Sequence, residues 1–187
     1  MYKLKYDRPA ALWTEALPLG NGSLGAMVYG GIECEQIRLN HDTLWSGSVI
    51  NDDRKSPSDF LEKSRELIFD GKYSEAHKYI KANLPTSDSA SFLPMGDINI
   101  KFDRWYMASD YTRELNISNA TAEVRTTFEH SAWSKNFRQT VRKYWVSKPH
   151  NVMVVEINSE HQNWNLNYTV NVDSELKHKV IEDENSI

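Results

Sequence analysis

Cysteine is almost absent: Cys34 stands alone in 187 residues. No intrachain disulfide can form, and a cysteine zinc cage is excluded. A lone thiol without a placed histidine reads by default as a small buried hydrophobe. A basic excess is missing too. Lys and Arg number 22 against 26 Asp and Glu, for a net charge of −4, so no nucleic-acid partner is expected. Apolar runs fall short of the ~18 residues of a membrane helix, so no membrane partner is expected either. The opening stretch MYKLKYDRPAALW has no apolar core of a secretory signal, and the chain as written reads as cytoplasmic. Histidines at 41, 77, 130, 150, 161 and 178 form neither an H-x-x-x-H nor an H-E-x-x-H pattern, so no metal or other cofactor is expected. The glycine-rich Leu19–Gly25 lacks the Lys-Ser/Thr of a phosphate loop and no helical pattern follows it. It reads as a turn in which glycines permit positive φ or close packing.

Aromatics are what the chain has in quantity. Six Trp, nine Tyr and six Phe make 11% of it, in a chain whose mean hydropathy is −0.63. Flat rings stack on sugar faces, which makes carbohydrate handling one reading. A β-rich core built from large side chains is the other.

The apolar pattern changes period along the chain. Leu24–Tyr29 is a short apolar run and Glu35–Leu39 alternates, so two strands are expected around a Gly30-Gly31 hairpin. Ser56-Pro57-Ser58-Asp59 has the order of a helix start, with Ser as cap and Pro at the first helical position. Phe60, Leu61, Ser64, Leu67 and Ile68 follow at helical spacing, with Gly71 as the stop. A second helix is expected from about Ser74 to Ala82, carrying Ala76, Tyr79 and Ile80 on one face and ended by Pro85. From Phe92 the period returns to two, through Ile98-Ile100-Phe102, Ala122-Val124-Thr126-Phe128, Val152–Val155 and Leu166-Tyr168-Val170-Val172. Ser118-Asn119 marks a turn. Strands at this spacing predict an antiparallel sandwich with a helical hairpin inserted at about 56–84.

The densest polar-aromatic cluster is Leu39-Asn40-His41-Asp42-Thr43-Leu44-Trp45-Ser46-Gly47. Such a loop suits hydrogen bonds to sugar hydroxyls and ring stacking. It equally suits a loop held by Asx turns with Trp45 as an anchor. His41 and Asp42 are adjacent, so in extended chain they point to opposite sides and adjacency alone does not make them a catalytic pair.

The motifs come in a distinctive order: Trp13-Thr14-Glu15-Ala16-Leu17-Pro18-Leu19-Gly20-Asn21-Gly22, Leu24-Gly25-Ala26-Met27-Val28, the 39–47 loop, Gly71-Lys72-Tyr73-Ser74-Glu75-Ala76 and Pro94-Met95-Gly96-Asp97. This succession resembles the N-terminal domain of glycoside hydrolase family 95, the inverting α-L-fucosidases, over nearly the whole chain. Ser23 stands where that family usually has Arg or another long residue, and His41 where it has Glu.

The resemblance implies a mainly β fold, an antiparallel β-supersandwich of galactose-mutarotase-like type. Residues 1–187 would be one such domain, short of its later strands. It implies as partners a downstream (α/α)6 barrel of the same parent chain and, in the full enzyme, a fucosylated oligosaccharide. The family's general acid Glu, and its Asn polarised by Asp, lie in the barrel, so no catalytic residue maps onto this chain. Asn21, His41, Asp42 and Trp45 become the expected supporting carbohydrate-binding residues, and hydrolysis of this kind implies no cofactor. Missing strands would leave apolar edges, so self-association is a further expectation. The rival readings are a stand-alone carbohydrate-binding sandwich, with Trp105, Tyr106 and Trp133 as exposed platforms, and a structural domain with no ligand.

Overall fold

The computed structural model describes residues 2–47, 58–83, 90–103, 107–131, 134–159 and 166–181. The Ser56-Pro57 cap, the Pro85 stop and the platforms Trp105, Tyr106 and Trp133 lie outside the described residues. The chain divides into two units, one formed by 1–44 with 93–187 and the other by 45–92.

The first unit is a sandwich of two antiparallel sheets. Its strands are β1 (Lys3–Tyr6), β2 (Leu17–Gly20), β3 (Leu24–Val28), β4 (Cys34–His41), β5 (Gly96–Phe102), β6 (Met107–Asn116), β7 (Thr121–Ser131), β8 (Ser134–Ser147), β9 (Val152–Ser159) and β10 (Tyr168–Asp173). One sheet has the order β1-β6-β7-β8-β9, the other β10-β5-β4-β3-β2. Alternation decides which side chains face inward. Leu17, Leu19, Ala26, Val28, Ile37, Ile100 and Phe102 of the second sheet pack on Tyr111, Leu115, Ala122, Val124 and Tyr144 of the first. Strands β1, β2, β6 and β8 were not singled out in the sequence: charged residues interrupt the apolar rhythm of β1, β6 and β8, and β2 is a short segment containing Pro18.

The opposite face of the second sheet is polar. Pro18, Met27, Arg38, Asp97 and Asp173 are successive cross-strand partners, forming one row across all five strands. Gly20, Gly25 and Asn40 form the next row. Cys34 shares this face with Gln36 and Arg38, and that parity leaves it exposed rather than buried. This corrects the expectation of a buried thiol.

The glycine-rich segment is the β2–β3 turn, as expected. Asn21 Oδ1 accepts the N–H groups of Ser23 (2.9 Å) and Leu24 (2.8 Å), while Gly22 takes a φ of 103°. The β6–β7 turn falls at Ser118-Asn119, with its left-handed residue at Ala120.

The second unit holds α1 (Ser58–Phe69) and α2 (Tyr73–Asn83). Gly71, at φ 74°, closes α1. Its N–H reaches Ile68 O (3.0 Å), and the Lys72 N–H reaches Leu67 O (2.9 Å). This is a Schellman cap, which satisfies carbonyls the helix end leaves open. Ser64 is buried and donates to Phe60 O (2.6 Å), and Ala76 is buried on α2. Trp45 and Phe92 join the ends of the unit by a β-bridge.

Candidate functional site

The sequence-predicted residues sit where turns meet. Asn21, besides capping its own turn, donates from Nδ2 to Ser147 O (3.2 Å) and Asn151 Oδ1 (2.8 Å). Its amide therefore ties the β2–β3 turn to the β8–β9 turn, and both of its N–H bonds and both of its oxygen lone pairs have protein partners. At the end of β4, the backbone N–H of Asp42 donates to Ser23 O (3.0 Å) and Ser23 Oγ to Asp42 Oδ2 (3.5 Å). His41 Nδ1 lies 2.9 Å from Thr43 Oγ1 and 3.1 Å from Asp42 Oδ1. The turn after β4 thus brings His41 and Asp42 together, although an extended chain would part them. Together they present an imidazole, a carboxylate and two hydroxyls at one end of the sandwich, a set that can donate to and accept from a polyol. Trp45 belongs to the second unit, where its ring lies 5.0 Å from that of Phe92 and stays about half exposed.

The strongest electrostatic feature lies inside the sandwich. Glu35 is 0% exposed and Arg142 2%. Arg142 Nη1 donates to Glu35 Oε2 (2.8 Å), the Tyr144 hydroxyl donates to the same oxygen (2.7 Å), and Oε1 accepts the Gly30 N–H (2.7 Å). The Tyr111 hydroxyl donates to Gly30 O (2.6 Å). The cluster joins β4 of one sheet to β8 of the other, and three donors converge on the Glu35 carboxylate. Sequence reading missed it, although a signal existed: Glu35 shares parity with Ile37 and Leu39, and Arg113 with Tyr111 and Leu115, so each charge lies on an apolar face.

Burial raises the Tyr144 phenol well above its ordinary range, against the opposing pull of Arg142, and burial likewise raises Tyr111. Both phenols stay neutral in the fold when an unfolded chain would begin to ionise them, near pH 10. Their contribution to stability is therefore complete below about pH 10 and is lost as pH rises toward the folded-state values. In an alkaline titration followed at the phenolate absorbance, these two tyrosines should ionise only together with loss of the near-ultraviolet circular dichroism. Smooth ionisation of all nine tyrosines in a still-folded chain would show that the phenols are not sealed.

Arg113 is a second buried cation, 1% exposed. It donates from Nε to Arg8 O (3.2 Å) and from Nη1 to Glu15 O (2.6 Å), and lies 4.3 Å over the Tyr6 ring. It thereby fixes the 8–16 loop, which carries Trp13. The Glu15 carboxyl is held below the usual range, chiefly by the Ala11 N–H on Oε2 (2.8 Å) and further by Leu12, Arg8 and Arg113, against the opposing effect of burial.

Among the described residues, no three His, Cys, Asp or Glu gather as metal ligands, and no helix is long and apolar enough to cross a membrane.

Residues 4–186 match the family model for "Glycosyl hydrolase family 65, N-terminal domain". "Alpha-L-fucosidase 2" of Arabidopsis thaliana is 32% identical over 180 residues, which cover 94% of this chain and 20% of that protein. "Probable alpha-fucosidase A" of Aspergillus oryzae is 29% identical over 167 residues, covering 82% of this chain and 21% of the relative. The chain thus spans about a fifth of the length of these curated relatives. With its match running through both sheets, the chain belongs to the glycosyl hydrolase family 65 N-terminal domain family.

Proposed function

We propose that this chain is the non-catalytic N-terminal sandwich of an α-L-fucosidase-like glycoside hydrolase of the family 95 type, scaffolding a downstream (α/α)6 catalytic barrel. One observation carries the reading: two proteins named as fucosidases align with most of this chain while it accounts for only about a fifth of either. The chemistry agrees. Inverting hydrolysis needs an acid and a base about 6.5–9.5 Å apart across a sugar-sized pocket. The 41–43 turn offers Asp42 bound to its own neighbour His41. In this reading His41 and Asp42 are rim groups that hydrogen-bond a fucosylated oligosaccharide and Asn21 holds the turn beneath; Trp45, on the second unit, offers a stacking face of its own.

Self-association is part of the same reading. Strands β9 and β10 each end a sheet, and Val152, Tyr168 and Val172 on them stay partly exposed. One preparation tests both parts. The 187-residue chain should release no nitrophenol from 4-nitrophenyl α-L-fucoside above background, and should elute larger than a monomer. Sustained turnover would overturn the placement of catalysis elsewhere, and a clean monomer would remove the self-association.

A further inference from the structure

We propose that the polar face of the second sheet carries a binding groove for a neutral mono- or disaccharide, built from Trp13, Gly25, Arg38, Asn40 and Asp97. The groove has a volume of about 330 Å³ and is lined by these residues together with Asp173 and neighbours. That lies at the lower end of the roughly 300–1,000 Å³ of small-molecule sites. It is separate from the His41–Asp42 turn and needs neither a barrel nor hydrolysis, so it stands apart from the fucosidase reading.

Gly25 is the most telling residue. It sits inside β3, where glycine weakens a strand, and such a position marks close approach by another backbone or by a ligand. No protein backbone crowds it: a Cβ there would meet only Asn40 O, at 4.0 Å. Its cross-strand partners on this face are Gly20 and Asn40. The missing side chain therefore leaves open a shallow floor that any larger residue would fill.

The walls suit a polyol. Trp13 is 55% exposed at the groove, although the loop that carries it is held by the buried Arg113. An exposed indole on an anchored loop can serve as a stacking platform at a reduced ordering cost. Also in the lining, Asp97 Oδ2 accepts from Gln36 Nε2 (2.8 Å) and lies 3.7 Å from Arg38 Nε. The Arg38 guanidinium lies 5.8 Å over the Tyr29 ring, and among the described residues no hydrogen bond engages its terminal nitrogens or the second oxygen of Asp97, which leaves a donor pair beside an acceptor. Neighbouring ring hydroxyls each donate and accept, so they match this pair. Asp97, Asp173 and Glu175 outnumber Arg38 in the lining, which disfavours an anion; the hydroxyl-matching donor and acceptor pair is what favours a neutral polyol.

The test is a two-dimensional amide NMR titration of the full chain with L-fucose, D-galactose and 2′-fucosyllactose. At least one sugar should shift the Trp13 indole and the amides of Gly25 and Asn40, with affinity on the order of millimolar. Gly25→Val should fold as before and weaken binding by about tenfold or more, because it fills the floor. Trp13→Ala should weaken it about as much, while Trp13→Phe, which keeps a ring, should stay within about threefold. The proposal is overturned if none of the three sugars shifts these signals at about 50 mM, well above millimolar affinity. It is equally overturned if a folded Gly25→Val binds as the parent does. Should Gly25→Val fail to fold, unchanged binding by Trp13→Ala overturns it alone.

Discussion

Replacing Glu35 with alanine should lower the stability of the sandwich by about 3–5 kcal/mol, the range for removing one partner of a buried ion pair. The loss comes less from the attraction removed than from what is left behind. Arg142, with 2% of its surface exposed, keeps a charge in a dry interior. The Tyr144 hydroxyl and the Gly30 N–H lose their acceptor in the same step. Arg142 is also unable to shed its proton as a way out. A guanidinium does not deprotonate in a protein, buried or not. Urea unfolding measured by near-ultraviolet circular dichroism gives the check. The double replacement Glu35→Met with Arg142→Met should recover most of the loss, since an apolar pair of similar volume often matches or exceeds a buried ion pair. A single Glu35→Ala variant within about 1 kcal/mol of the parent would mean that water reaches the cluster.

Gly30→Ala should cost about 2–5 kcal/mol. Left-handed backbone costs a residue with a Cβ about 1–2 kcal/mol, and forcing a group into a full core adds about 1–3. Both apply at Gly30. Its φ is 75°, and a Cβ would stand 2.5 Å from the Tyr111 hydroxyl and 2.7 Å from Arg113 Cδ. Neither neighbour can give way. Tyr111 is bonded to the carbonyl of Gly30 itself, and Arg113 is fixed at the carbonyls of Arg8 and Glu15. Gly71→Ala is the internal control. Its φ is 74°, nearly the same, but nothing lies within 4 Å of a Cβ there. It should cost only the backbone part, about 1–2 kcal/mol. Equal losses at the two glycines, measured by urea unfolding, would show that space plays no part.

The sequence revealed the layers better than the joints. Period-two stretches such as Ile98-Ile100-Phe102 and Ala122-Val124-Thr126 became inward faces of β5 and β7, because nothing local competes with alternation there. The helical hairpin was legible for a similar reason: Gly71 and the Ala76 face are short-range signals. Strand β8 was not, since Arg138, Arg142 and Lys143 break its rhythm, and the reason Arg142 is tolerated lies on Glu35, 107 residues earlier. Long-range charge pairing has no local signature. The candidate site was legible as a loop rich in Asn, His and Asp, but its internal bonds were not. The contact of His41 with Thr43 and Asp42 depends on a turn that adjacency alone did not predict. The groove at Gly25 was invisible for another reason. A glycine kept for the space above it reads like a glycine kept for its φ until the neighbours are in place.

Strand β1 has an implication for synthesis on the ribosome. Lys3 pairs with Asn116 and Tyr6 with Arg113, so β1 leaves the exit tunnel long before β6 and stays without its partner until β6 has been made. Strands β2, β3 and β4 meet each other across short turns in the meantime. The second sheet can therefore begin to assemble vectorially, while the first must wait for β6 before its outermost ribbon has a place to settle. Delay of this kind is when an unpaired edge is most open to chaperones and to neighbouring nascent chains.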